Sequence, residues 1–118
     1  MSGTNTRKNL IPVAAMRART HRGERLADQI RQELTELIEY EIKDPRVGLA
    51  SVTAVELSEN LRRVRVMVRV RGDDPQRETS LVGLEAARSF LRRELAQRLA
   101  LRFSPAISFH LDLTQINE

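Results

Sequence analysis

The chain contains no cysteine and no tryptophan, and its aromatic side chains amount to three Phe and one Tyr in 118 residues. Without thiols there can be no disulfides, no thiolate catalysis and none of the usual structural zinc sites, as expected of a protein in a reducing cytosol. Aromatics at 3% leave little from which to build stacking platforms for single-stranded bases. No apolar run approaches the ~20 residues of a membrane span. The glycines at positions 3, 23, 48, 72 and 83 stand singly, so no Gly-rich phosphate loop is present. The two histidines, His21 and His110, have no evident nucleophile or acid beside them, which removes the material of a hydrolytic triad. His110 alternates with Phe109 and Leu111 and reads as an ordinary sheet-surface residue. Glu33, Glu36, Glu39 and Glu41 could be pictured as metal ligands, but they occupy the polar side of an amphipathic helix and read as a solvated face. No enzyme, cofactor or metal centre is expected.

What the sequence does have is arginine. The net charge is +4, from 20 Lys+Arg against 16 Asp+Glu, and 18 of the 20 cations are Arg, the fork-shaped donor suited to phosphate. Residues 1–23 carry five cations and no acid, and residues 58–72 carry five cations against Glu59. Residues 24–50, with seven acids and four bases, have a balance of −3. A molecule with a basic side and an acidic side is expected, and a polyanion is the natural partner of the first.

One domain's worth of chain is available. Residues 1–21 lack periodicity and read as a mobile basic tail, residues 22–114 as the folded domain, and 115–118 as a C-terminal end. The tail's Arg content also fits an organellar transit peptide, and Met16 is an alternative start. Leu26, Ile30, Leu34, Leu37, Ile38 and Ile42 mark one buried helix face, predicted to stop at Asp44-Pro45. Thr53, Val55 and Leu57 share a face of one strand; Val64, Val66, Val68 and Val70 share a face of the next, with a hairpin at Ser58-Glu59-Asn60. Asp73 reads as an N-cap ahead of Pro75. The helical stretch that follows carries Leu81, Leu84, Ala87, Leu91, Leu95 and Leu99; Gly83 and Ser89 weaken its middle, predicting two helices or a kink. Ile107, Phe109, Leu111 and Leu113 alternate in a last strand. The order helix-strand-strand-helix-helix-strand makes an α+β layer, a three-stranded sheet with its helices on one face.

With the valines of the second strand turned inward, Arg63, Arg65, Arg69 and Arg71 project from the opposite face, interrupted by Met67. Guanidinium groups about 7 Å apart repel one another unless an anion neutralises them. The plainer reading is a strand charged to prevent edge-to-edge association. Arg88 and Arg92 share a helix face, Arg93 points away from the leucine stripe, and Arg98 and Arg102 repeat the i, i+4 spacing. Each alone reads as a solvated charge; together they favour a phosphate-binding surface. Tyr40, Phe90, Phe103 and Phe109 could stack on bases, although Phe90 and Phe109 sit beside core positions. Recognition of RNA by shape and phosphate is the better fit.

Glu41-Ile42-Lys43-Asp44-Pro45-Arg46-Val47-Gly48, then Ser51-Val52-Thr53, Val55-Glu56-Leu57-Ser58 and Leu61-Arg62, resemble the bacterial ribosome-binding factor A family. So do Glu78-Thr79, Phe90-Leu91-Arg92, Arg98-Leu99, Leu101-Arg102 and Pro105, and the resemblance runs from about Arg22 to Asp112. It implies a KH-like domain of the second type. It also implies a cytoplasmic, monomeric assembly factor that binds 16S rRNA and the free, immature 30S subunit. Such a factor assists late maturation and rRNA 5′-end processing, matters most in the cold, performs no catalysis and touches no membrane; a GTPase acting beside it is left open. In that family an Ala-x-Gly kink between the later helices replaces the usual KH loop; here it falls on Ala87, Arg88 and Ser89, with Ser where Gly is typical. Ser lacks the backbone freedom of Gly, so a shallower kink or a bond from Ser89 to a carbonyl is expected. The expected RNA-binding residues are Arg22, Arg25, Lys43, Arg46, Arg62, Arg63, Arg65, Arg69, Arg88, Arg92, Arg93, Arg98 and Arg102. Pro45 and Gly48 read as structural.

Overall fold

The computed structural model describes residues 21–48 and 50–113. Residues 1–20 and 114–118, and with them nearly all of the basic tail, lie outside the described residues, as does the side chain of Arg22. Helix α1 (His21–Glu36) turns Ile30 and Leu34 into the core, as its apolar spacing requires. It does not run on to Asp44-Pro45. It widens into a π-helical turn, Leu37–Glu41, closed by the Ile42 N–H donating to the Leu37 carbonyl at 3.0 Å, and Ile42 is already extended. The extra residue in that turn lets Leu37 and Ile38 both be buried, and the chain leaves the helix before Pro45 can act on it.

Strand β1 (Ala50–Leu57) pairs antiparallel with β2 (Arg63–Val70), and β3 (Ala106–Leu111) pairs parallel on the other side of β2. The register of β1 slips between Val52, opposite Val68, and Ala54, opposite Met67. Thr53 is the extra residue of a bulge, so Val52, not Thr53, joins Val55 and Leu57 against the core. Val64, Val66, Val68 and Val70 are all buried. In the hairpin, buried Ser58 accepts the Arg63 N–H on Oγ at 2.9 Å and donates to Asn60 Oδ1 at 2.8 Å.

Helix α2 (Asp74–Ala86) opens with a reciprocal capping box between Asp73 and Gln76, and Pro75 follows where no N–H is needed. The helix breaks at Ala87 (φ −90°, ψ 1°), whose N–H is shared between the Gly83 and Leu84 carbonyls. Helix α3 (Arg88–Arg98) begins at once, so Arg88 and Ser89 lie in its first turn and the irregularity is confined to Ala87. Ser89 is exposed, and no bond from its hydroxyl to a carbonyl is made. Gly83, a weak point by helix propensity, is buried: a Cβ there would stand 3.0 Å from both Val47 N and Val47 Cγ2. Ser80 completes the contact, donating from Oγ to the Val47 carbonyl at 2.7 Å. Small residues on α2 therefore let the 44–47 turn dock against it.

Leu84, Leu91 and Leu95 from the helices meet Ile107 and Phe109 from β3, and all helices lie on the valine side of the sheet. Leu113, expected to continue the β3 alternation, lies beyond the strand and is 56% exposed. The architecture is α+β, three helices on one face of a three-stranded mixed sheet, in the expected order.

Candidate nucleic-acid interface

Among the described residues, no helix covers the other face of the sheet. Arg63, Arg65, Met67 and Arg69 project from it, because residues two apart on β2 share a side. The register places Glu56 and Ser108 on either side of Arg65, Ala54 and His110 beside Met67, and Ser51 beside Arg69. Glu56 Oε1 lies 4.0 Å from Arg65 Nε, too far for a hydrogen bond. The Nε atoms of Arg65 and Arg69 are shielded from solvent and meet no acceptor among the described residues. His110 bonds Ser108 through Nε2 at 2.9 Å. Its burial, and then the neighbouring Arg65 charge, hold its pKa below the ordinary histidine value despite Glu56 and Glu85 nearby.

At the end of the sheet, where β2 and β3 begin, the Arg62 guanidinium carbon lies 4.5 Å from the centre of the Phe103 ring. The loop that carries Phe103 is fixed by Arg92, which donates from Nε to the Pro105 carbonyl at 2.8 Å and from Nη2 to the Ser104 carbonyl at 3.2 Å. Arg63 and Arg102, next in the chain to Arg62 and Phe103, are both exposed.

A third group surrounds the helix break. The 44–47 turn is rigid: Arg46 grips Asp44 through Nε and Nη2, its backbone N–H bonds the same carboxylate at 2.9 Å, and the Val47 N–H bonds the Asp44 carbonyl at 3.1 Å. This pairing holds the Asp44 carboxyl below the usual carboxylate range. Exposed Lys43 shares an open cavity of about 330 Å³ with Ile42, Ala87 and Phe90, which brings the turn and the interhelical break to one place. Arg88 pairs with Glu85 at 3.0 Å, and Arg93 is exposed. On the opposite flank the acids of α1 engage Arg98, which meets Glu33 at 3.3 Å and Glu36 at 3.9 Å, together with Glu94 of its own helix at 3.5 Å. Among the described residues no three His, Asp or Glu side chains are grouped to hold a metal ion, and no helix is long and apolar enough to cross a membrane.

The profile of the family described as ribosome-binding factor A matches residues 22–118. The chain belongs to the ribosome-binding factor A family. Ribosome-binding factor A of Moorella thermoacetica is 44% identical over 97 residues, covering 80% of each chain. The crystal structure of ribosome-binding factor A from Thermus thermophilus superposes with a TM-score of 0.67 at 30% identity, over 75% of this chain and 94% of that one. A homology model of the Thermus thermophilus factor, fitted into the electron cryomicroscopy map of a 30S complex, superposes with a TM-score of 0.61 at 29% identity, over 75% and 92% of the two chains.

Within this family frame the expected interface residues do not form one surface. Arg63, Arg65 and Arg69 share the open sheet face, with Arg62 and Arg102 at its end. Lys43 and Arg88 lie at the helix break, Arg46 lines a separate cleft beside Pro45 and Thr79, and Arg93 stands outward on α3 and Arg25 outward on α1. Arg92 is committed to loop carbonyls and Arg98 to three carboxylates. Arg71, grouped with the β2 row in the sequence, lies past the strand and lines a cleft with Pro45, Gly48 and Thr79. Sequence reasoning misses His110 and Ser108 as neighbours of the arginines, since only the parallel pairing of β3 with β2 brings them there.

Proposed function

We propose that the protein is a non-catalytic assembly factor that docks the arginine-bearing face of its sheet on 16S rRNA of the free, immature 30S subunit. The observation that carries this is the row Arg63, Arg65 and Arg69 on a sheet face that no described helix covers. The family membership and the 30S complex of the Thermus relative support the choice of target. No Phe or Tyr ring stands among the β2 arginines, so the face reads backbone and shape. By holding one rRNA conformation it assists late maturation and 5′-end processing, a role that matters most in the cold, where misfolded RNA escapes slowly. It works in the cytoplasm as a monomer, on particles that have not yet entered translation.

The test is cosedimentation of the full chain with immature 30S particles. Arg63→Glu/Arg65→Glu/Arg69→Glu is expected to abolish it while the thermal melt is kept, because these side chains contribute nothing to the core. Undiminished cosedimentation overturns the assignment of the face. Complexes that survive RNase would place an acidic protein, rather than RNA, opposite the arginines.

A further inference from the structure

Arg62 and Phe103 lie at the rim of the sheet, outside the backbone-reading face. We infer that they form a stacking subsite for one unpaired nucleobase, an inference that rests on the chain binding RNA. The guanidinium of Arg62 is exposed and held over the half-buried Phe103 ring at 4.5 Å. The Arg62 side chain stands over the ring and is itself exposed, so an unstacked base can settle on the guanidinium where the ring does not cover it.

Three features make the corner a prepared one. The backbone of Arg62 is pinned on both sides: its N–H donates to Asn60 Oδ1 at 3.0 Å, and its carbonyl accepts the Ala106 N–H at 2.8 Å. The loop bearing Phe103 is fixed independently by Arg92 through the Ser104 and Pro105 carbonyls. Among the described residues Arg62 has no carboxylate partner, so its charge is not already satisfied, and exposed Arg63 and Arg102 flank the pair in the chain for the phosphates on either side of the base.

The ligand must be an unpaired nucleotide, in a loop, a bulge or a free end. Inside a duplex both faces of each base are covered by neighbours, and only an unstacked base offers a face to the guanidinium. A duplex would meet the Arg63, Arg65 and Arg69 row instead.

The experiment compares a short fluorescent single-stranded RNA with the same strand carrying abasic sites, using the full chain. The natural protein is expected to bind the intact strand about tenfold more tightly, within the range of one base stack. Phe103→Leu and Arg62→Lys are each expected to erase that preference while leaving the salt dependence of binding in place, since Lys keeps the charge and loses the plane. A natural protein indifferent to base removal overturns the subsite, as does an Arg62→Lys variant that keeps the full preference. Should Phe103→Leu melt early, Arg62→Lys alone decides, because its change leaves the loop anchored by Arg92. Binding to immature 30S without base discrimination sinks only the subsite; failure to bind any RNA sinks the RNA reading with it.

Discussion

Gly83 illustrates how far a residue's setting can reverse its intrinsic tendency. In an exposed helix Gly→Ala gains about 1 kcal/mol. At this position the new methyl would meet Val47 N and Cγ2 at 3.0 Å and Arg46 Cβ at 3.1 Å. Val47 cannot retreat, since its carbonyl is held by Ser80 and its N–H by Asp44. Overpacking costs about 1–3 kcal/mol, so Gly83→Ala is expected to destabilise by about 1 kcal/mol net in a urea melt; a stabilised variant would show that the turn yields. Ala100 carries the opposite sign. It ends α3 in a left-handed conformation (φ 53°), with the Leu101 N–H reaching back to the Ala96 carbonyl and its own N–H to the Gln97 carbonyl. That capping position favours glycine, and Ala100→Gly should stabilise by up to about 1 kcal/mol in the same melt. His110 offers a titration. Its pKa lies below the ordinary 6.5, first through burial and then through Arg65. The unfolded chain therefore binds a proton more readily than the fold, so this contribution to stability is complete above pH 6.5 and declines as the pH falls toward the folded value. An NMR titration should find the midpoint below 6.5, moving upward in Arg65→Gln; an unmoved midpoint would remove Arg65 as a cause.

Elements announced by strong periodicity were legible in the sequence, and their irregularities were not. Four alternating valines left β2 no other reading, and Asp73 ahead of Pro75 marked the start of α2. The bulge at Thr53 carries no local signal, because a β-branched residue fits either face of a strand until the partner's register is known. The π-helical turn is similarly hidden, as Leu37, Ile38 and Ile42 are spaced acceptably for an ordinary helix. Pairing between elements is the least legible of all: Arg98 and Glu33 lie 65 positions apart in the chain, yet together they bind α3 to α1. Arg98→Glu is expected to lower the thermal midpoint, the more so at low salt, while immature 30S is still retained. Loss of 30S binding with an unchanged melt would return Arg98 to the RNA surface.

At the scale of the whole molecule the sequence indicated a basic and an acidic flank, and the acids of α1 do stand apart from the arginines of β2. What composition could not reveal is how many cations are already engaged. Arg46, Arg65, Arg77, Arg88 and Arg98 each have a carboxylate within 4.0 Å, so counting arginines overstates the charge available to RNA. The salt dependence of binding should follow the unengaged set. Replacing Arg63 or Arg69 by Gln should reduce the log-log slope by roughly one each, whereas Arg46→Gln should leave it nearly unchanged. Equal effects at all three positions would mean that the ion pairs open when RNA arrives. The position of β2 has a further consequence. Its second neighbour, β3, is parallel to it and arrives only after both intervening helices. During vectorial synthesis the middle strand therefore waits with one side unzipped, and Phe103 has no perch beneath Arg62 until the last strand closes. A half-made chain cannot grasp a base at that corner, so the subsite comes into being only when the sheet is complete.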